Sequence, residues 1–166
     1  MGIDPGSRSG WAVVTVDPNP KLLLHDAVQW PKPGTKKDLA ANTPHAVVGN
    51  VIESVGRFDH TIVCAAIEDQ FLGLNVNTLK KLARNGGRWE EAFRSRGIPV
   101  VWINPQTWQT AELGTAKIDS KEVKRRCAMK TRGLWDQKVG EDAADAALIG
   151  RYHAIREAYR NLRRKR

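Results

Sequence analysis

The chain has few cysteines and none of the motifs that use them. Cys64 lies in an apolar run and Cys127 in a basic helical pattern, and no other cysteine is present. Two isolated thiols in such settings predict reduced, packed side chains, and they exclude the disulfide framework of a small secreted protein. Because no Cys-x-x-Cys pair occurs, a structural zinc site is not expected either.

Long apolar runs and linkers are also absent from the sequence. No apolar stretch reaches about 18 residues, and no signal-peptide pattern opens the chain, so we expect an intracellular protein without a membrane segment. No Pro-, Gly- or Ser-rich linker divides the 166 residues. We therefore expect a single domain over residues 1–166, with residues 151–166 as a basic C-terminal helix or tail.

The sequence has fewer acidic residues than basic ones. The chain has 27 Lys and Arg against 18 Asp and Glu, which gives a formal net charge of +9. Lysine and arginine release counterions when they bind phosphates, so this balance favours a polyanionic partner such as nucleic acid. Binding to an acidic membrane surface is the main alternative at this point.

Apolar periodicity predicts three strands followed by alternating helices and strands. Strands are predicted over residues 1–3, 10–16 and 22–30, as an antiparallel meander. The pattern then predicts a helix at 46–55, a strand at 61–67, a helix at 76–96, a strand at 98–103, and helices at 105–113, 119–129 and 141–162. The order βββαβαβ, followed by helices, is typical of an α/β fold with a mixed sheet covered by helices. The first strand is unusually short, which is consistent with further residues upstream of Met1.

Acidic residues stand where the predicted strands end and where the last helix begins. Asp4 ends the first strand before a glycine turn, Glu68 ends the apolar strand, and Asp142 and Asp145 share one helix face. Two unit charges about 4 Å apart repel by roughly 4 kcal/mol at an effective dielectric near 20, so such a cluster needs cations. Oxygen ligands without His or Cys favour Mg²⁺, with Mn²⁺ as a substitute. Singly, each residue has an ordinary alternative, as a turn residue or a helix cap.

At these residues the sequence resembles the RuvC family of Holliday junction resolvases, within the ribonuclease H-like superfamily. The matching segments are Gly2-Ile3-Asp4-Pro5-Gly6-Ser7-Arg8, Ala66-Ile67-Glu68-Asp69-Gln70-Phe71 and Asp142-Ala143-Ala144-Asp145-Ala146. The resemblance implies a ribonuclease H-like mixed five-stranded sheet flanked by helices. It also implies a Mg²⁺-dependent endonuclease, homodimeric and cytoplasmic in a bacterium or a phage-infected host, that makes paired symmetric nicks in four-way or branched DNA.

The resemblance also assigns roles to individual residues. It implies that Asp4, Glu68, Asp142 and Asp145 are the catalytic, metal-binding carboxylates, and that Phe71 stacks against bases near the junction centre. Lys121 matches the family's basic catalytic residue, with Lys117 and Lys124 as close alternatives. Gln109 stands where the family often has a second lysine, which puts the efficiency of the reaction in doubt more than its class.

Further basic and apolar residues suggest how DNA and a second subunit bind. The predicted DNA-binding residues, beside Phe71, are Arg8, Arg84, Arg88, Lys117 and Lys124. Leu79, Leu82, Gly86, Trp89 and Phe93 form one helical stripe, which in the resembled family lies at the dimer interface and which core packing would equally explain. A symmetric junction that is cut twice favours a symmetric dimer.

Three other functions remain open from the sequence. The same fold could process structured RNA, or the protein could bind junctions without cutting them and use its carboxylates for a structural Mg²⁺. A related ATP-dependent kinase would need further glycine-rich nucleotide-binding motifs, and Gly86-Gly87 is the one candidate for such a motif.

Overall fold

The computed structural model describes residues 1–30, 43–69 and 75–164 of the chain. Phe71, which we predicted to stack on DNA bases, lies outside these residues. None of the helices within the described ranges is long and apolar enough to cross a membrane.

The strands and helices follow the predicted order. The strands in the described residues are β1 (Gly2–Asp4), β2 (Arg8–Val14), β3 (Leu22–Gln29), β4 (Ala65–Glu68) and β5 (Val100–Ile103). The helices there are α1 (Pro44–Gly56), α2 (Val76–Arg94), α3 (Pro105–Leu113), α4 (Ser120–Trp135) and α5 (Glu141–Arg164). Thr43, Asn75, Asn104 and Asp119 cap α1 to α4, each accepting a backbone N–H from the first turn.

The strands form one mixed sheet in the order β3-β2-β1-β4-β5. The first three strands are antiparallel neighbours, which confirms the predicted meander, and β4 and β5 run parallel to β1. The parallel connections pass through helices, as the geometry of parallel strands requires. The predicted mixed five-stranded sheet is therefore confirmed.

All five strands differ from their predicted bounds by one to four residues at one or both ends, and strand pairing explains two of these differences. The apolar run at 61–67 becomes a strand only from Ala65, because the ladder with β5 begins at Ala65, opposite Val100, and the ladder with β1 begins one residue later. Strand β2 begins at Arg8, two residues before the prediction, because Arg8 and Ser9 pair with the end of β3. Strand pairing therefore determines where β2 and β4 begin, and the apolar pattern alone does not show these positions.

Helices cover both faces of the sheet. On one face, α1 and α2 pack on Ile3, Val13, Ala65 and Ile67 in the larger apolar cluster. On the other face, α3, α4 and α5 form two smaller clusters, in which Ala66 and Ala12 take part. Side chains alternate between the faces of a strand, so this division decides where each polar residue at a strand end will project.

The two cysteines are free thiols, as predicted. Cys127 is fully buried on α4 and Cys64 is half-buried just before β4.

Candidate active site

Two of the predicted carboxylates lie side by side at the carboxyl edge of the sheet. Asp4 is the last residue of β1 and Glu68 the last of the parallel neighbour β4, directly after the paired residues Ile3 and Ile67. Since Ile3 and Ile67 face α1 and α2, strand alternation turns Asp4 and Glu68 toward the α5 face. The sheet itself thus creates a pair of neighbouring carboxylates.

Helix α5 reaches these carboxylates because glycines let it lie directly on the strands. A methyl group at Gly10, which pairs with Asp4, would stand 1.7 Å from the backbone oxygen of Asp142. A methyl group at Gly2 would stand 2.0 Å from the backbone oxygen of Ala146. The backbone of α5 therefore lies directly against β1 and β2, which brings the first turns of α5 against the acidic strand ends.

The carboxylates interact through burial and through their like charges. Burial, followed by the negative charges of Glu68 and Asp145, raises the pKa of Asp4 well above its ordinary value. Burial raises the pKa of Glu68 to about 7, although a hydrogen bond from Trp108 acts in the opposite direction. Burial also raises the pKa of Asp145 to about 6. Asp4, Glu68 and Asp145 therefore form one electrostatically coupled group, of the kind that is enriched at functional sites.

Asp142 stands slightly apart and is held by two cations. Lys124 Nζ donates to Asp142 Oδ1 over 3.0 Å, and Arg8 Nε lies 3.4 Å from Asp142 Oδ2. Burial acts against the charge of Lys124, but Asp142 and the other carboxylates outweigh it and raise the pKa of Lys124. The raised pKa keeps Lys124 protonated and positively charged beside the carboxylates.

The structure therefore brings Lys124, rather than Lys121, to the acidic group. Lys121 lies in the first turn of α4 and is exposed, whereas Lys124 lies one turn further, on the side of α4 that faces α5. Gln109, at the position where the resembled family often has a lysine, is half-buried on α3.

Two contacts of the cluster were not predicted from the sequence. The indole N–H of Trp108 donates to Glu68 Oε1 over 2.8 Å, and the thiol of the buried Cys127 lies close enough to Asp145 to act against the rise in the pKa of that carboxyl. Trp108 falls one turn after Pro105 in the predicted helix, so its burial could be expected. Its hydrogen-bond partner could not be predicted, because 40 residues separate Trp108 from Glu68 in the sequence.

A polar network fixes the turn that follows Asp4. The side-chain amide of Asn85, buried on α2, donates to the backbone oxygen of Gly6 over 3.0 Å. Ser9 Oγ donates to the same oxygen and accepts the indole N–H of Trp30 over 2.9 Å. Buried polar groups of this kind define one backbone geometry when all partners are present. The turn is therefore tied to both α2 and β3.

The donor set suits a hard divalent cation, although the side chains do not stand as a complete set of ligands. Within the described ranges, no three His, Cys, Asp or Glu side chains are arranged to hold a metal ion. Asp142 and Glu68 are turned instead toward Lys124 and Trp108. Asp145 Oδ1, however, is buried without a hydrogen-bond partner among the described residues. A buried anionic oxygen without a donor fits a cation ligand, and carboxylates without imidazole or thiolate suit Mg²⁺ or Mn²⁺.

The predicted DNA-binding side chains lie on the surface, and the apolar stripe of α2 lies mostly inside. Arg8, Arg84, Arg88 and Lys117 are exposed, and the Arg88 guanidinium stacks 5.2 Å over the Trp30 ring. In the stripe, Trp89 and Phe93 are fully buried in the core of the same chain, and Gly86 lies under the Trp102 ring. Core packing therefore explains these three residues, and only the half-buried Leu79 and Leu82 remain for a subunit contact.

The fold with this site matches solved structures. T. thermophilus RuvC in complex with Holliday junction substrate aligns with a TM-score of 0.64 and 25% identity, covering 95% of this chain and 94% of that one. A second Thermus thermophilus RuvC structure aligns with a TM-score of 0.63 and 23% identity over 95% of each chain. Together with the acidic strand ends, this likeness defines the class of the protein as a nuclease with the ribonuclease H-like fold.

Sequence comparison narrows the class to one family. The family model described as crossover junction endodeoxyribonuclease RuvC matches residues 1–153. The protein of that name from Chloroflexus aurantiacus is 31% identical over 163 residues, which cover 93% of this chain and 91% of the relative. The one from Pseudarthrobacter chlorophenolicus is 29% identical over 158 residues, covering 94% and 79%. The chain belongs to the RuvC family of crossover junction endodeoxyribonucleases.

Proposed function

We propose that this chain is a Holliday junction resolvase, an endonuclease that makes paired symmetric nicks in four-way or branched DNA. The observation that carries the proposal is the convergence of Asp4, Glu68 and Asp145 from three distant segments into one buried acidic group. Membership of the RuvC family and the likeness to a RuvC that was solved with a junction support the same substrate. A location in the bacterial cytoplasm, with the DNA, remains a prediction.

Asp4, Glu68, Asp142 and Asp145 would hold Mg²⁺, with Mn²⁺ as a substitute. The bound ions supply an activated water nucleophile and stabilise the leaving oxygen of the phosphodiester. For Asp142 to bind an ion as well, Lys124 or Arg8 must give up part of its contact with the Asp142 carboxylate oxygens. These two cations then stand beside the cluster, where they can bind the oxygens of the scissile phosphate.

Lys124 is the side chain best placed to stabilise the negative charge that develops on that phosphate. Its side chain is 39% exposed, so it can contact a ligand while it stays near the carboxylates. A fixed positive charge at the reacting phosphate lowers the barrier because charge grows there in the transition state. Arg8, with an exposed side chain on the other side of Asp142, would bind the neighbouring backbone.

A homodimer would match the symmetry of the substrate. Two cuts at symmetric positions need two equivalent sites, which a dimer with two-fold symmetry provides. Val76, which is 63% exposed at the start of α2, and the half-buried Leu79 and Leu82 are the apolar residues that this helix offers to a partner. The exposed Arg84 and Arg88 on the same helix would then border the DNA.

The test is incubation with a synthetic four-way junction, with and without Mg²⁺. We expect symmetric nicks only with the ion, and we expect Asp4→Asn to lose cutting while it still binds the junction in EDTA. The matched control is Asp26→Asn, which removes an exposed carboxylate on β3. Full cutting by Asp4→Asn would overturn the site, and preferential cutting of folded RNA would overturn the substrate.

A further inference from the structure

The fully buried Trp108 is attached to the acidic cluster by a single polar contact. Only 1% of its surface is exposed, and its one polar atom, the indole N–H, donates to Glu68 Oε1 over 2.8 Å. The N–H of a buried tryptophan usually finds a hydrogen-bond partner. Here the partner is a carboxylate at the proposed centre of the site.

The surroundings of Trp108 leave its ring little freedom. Asn104 caps α3 and Pro105 opens it, so the helix begins directly after β5 and carries Trp108 over the sheet. The ring packs in one cluster with Val123 and Cys127 of α4 and with residues of α5. Core side chains packed at this density keep one rotamer, so the direction of the N–H is set by three helices and a strand.

We propose that Trp108 is a positioning residue that holds the Glu68 carboxylate in the orientation required to bind the catalytic cation. This inference rests on the proposed function, because it assumes that Glu68 is a metal ligand. An indole N–H only donates and does not change charge, so it can orient a carboxylate at any pH. An ionised carboxylate has about four acceptor positions, and the indole bond occupies one. The bond therefore restricts rotation of Glu68 while it takes only one of these positions.

The chain offers a matched comparison for the loss of one indole N–H. Trp89 is fully buried in the other core cluster, on α2, and its N–H has no hydrogen-bond partner among the described residues. Trp89→Phe and Trp108→Phe remove the same atoms from buried rings of the same shape. Only Trp108→Phe, however, removes a hydrogen bond to a proposed metal ligand.

The experiment measures Mn²⁺ binding to the metal-free protein by titration calorimetry, without DNA. Loss of a hydrogen bond that orients a metal ligand typically weakens metal affinity about 10- to 100-fold. We expect a loss of this size for Trp108→Phe and less than a twofold change for Trp89→Phe. In cleavage assays, Trp108→Phe should need correspondingly more Mg²⁺ for half-maximal activity, and its junction affinity in EDTA should equal that of the wild type.

A second measurement uses folded protein even if Trp108→Phe unfolds. The indole N–H resonances of the wild type are recorded by ¹⁵N NMR during titration with Mg²⁺, and again in Glu68→Gln. We expect the Trp108 resonance to move in both cases and the Trp89 resonance to stay in place. Wild-type Mn²⁺ affinity in Trp108→Phe, or equal losses in both tryptophan variants, would overturn the positioning role.

The two proposals can fail separately. If the wild type binds Mn²⁺ through Trp108-oriented Glu68 but does not cut junctions, the resolvase function fails and the positioning role stands. If the wild type cuts junctions and Trp108→Phe retains its metal affinity and Mg²⁺ requirement, only the positioning role fails.

Discussion

Replacing Asp145 by asparagine should stabilise the metal-free protein while it destroys the site. Burial raises the pKa of Asp145 to about 6 from an ordinary value of 3.8, so the folded chain resists ionising this group. One pKa unit corresponds to about 1.4 kcal/mol, so the ionised carboxylate reduces the stability of the folded chain by about 3 kcal/mol near pH 8. Asparagine removes the charge and keeps the size of the side chain. Allowing about 1 kcal/mol for a weakened contact with Cys127, we expect a gain of about 1–3 kcal/mol.

The effect should depend on pH in a defined direction. Because the pKa is higher in the folded state, the contribution of Asp145 is fully favourable below its unfolded pKa near 4, and it is lost as the pH rises through about 6. The wild type in EDTA should therefore lose stability between pH 4 and pH 7. Asp145→Asn should differ little from it at pH 4 and exceed it at pH 8.

Urea unfolding at pH 4, 6 and 8, in EDTA and in Mg²⁺, measures this difference. Mg²⁺ should reverse the order at pH 8, because an ion that binds only the folded wild type stabilises it. The control is Glu122→Gln on the surface of α4, where hydrogen bonds from Arg125 and Arg126 lower the pKa of Glu122 to about 2, so the pH trend should have the opposite sign. If Asp145→Asn is less stable than the wild type at pH 8 in EDTA, then Asp145 is not held in an unfavourable charged state, and our account of the cluster is wrong.

Three further substitutions test other parts of the structure. Gly10→Ala places a methyl group 1.7 Å from the backbone oxygen of Asp142, so it should displace α5, destabilise the chain by more than about 2 kcal/mol in urea unfolding, and abolish cutting. Lys124→Ala should lower kcat about 100-fold or more with little change in junction affinity, whereas Lys121→Ala, on the exposed side of α4, should keep kcat within about threefold. Equal losses in the two variants would refute the preference for Lys124, and a larger loss in Lys121→Ala would return the role to Lys121. The buried Glu112 carboxylate lies 2.7 Å from Lys130 Nζ and 2.6 Å from Arg151 Nη1. Glu112→Ala should therefore destabilise the protein by about 3–5 kcal/mol, because both cations lose their partner. Thermal unfolding with little change in Tm would refute this.

Much of the fold and of the acidic group could be predicted from local sequence. Asp4 and Glu68 were identified because each follows an apolar strand, and a strand end is visible in a single sequence. Asp145 was identified because it lies three residues from Asp142 on one helix. The mixed sheet followed from the order of the elements, since short turns join the first strands and helices join the rest.

The remaining features depend on how distant elements cross. Lys121 and Lys124 are one turn apart on α4, and only the contact between α4 and α5 decides which of them reaches Asp142. The tryptophan that bonds to Glu68 could not be found for the same reason. The stripe on α2 had the periodicity of either a core or an interface, and tertiary packing assigned Trp89 and Phe93 to the core. Arg151, the first residue of the basic C-terminal segment, pairs with Glu112, and no local pattern in the sequence indicates this contact.

Because its backbone contacts β1 and β2 directly, α5 has a fixed position on the sheet. At 1.5 Å per residue, roughly 27 Å separate Asp145 from Arg163 along α5, which equals about eight base-pair steps of B-form DNA at 3.4 Å each. The exposed arginines at its far end are therefore too remote to touch the nucleotide being cut. Any duplex that these arginines bind would be contacted most of a helical turn away from the acidic group.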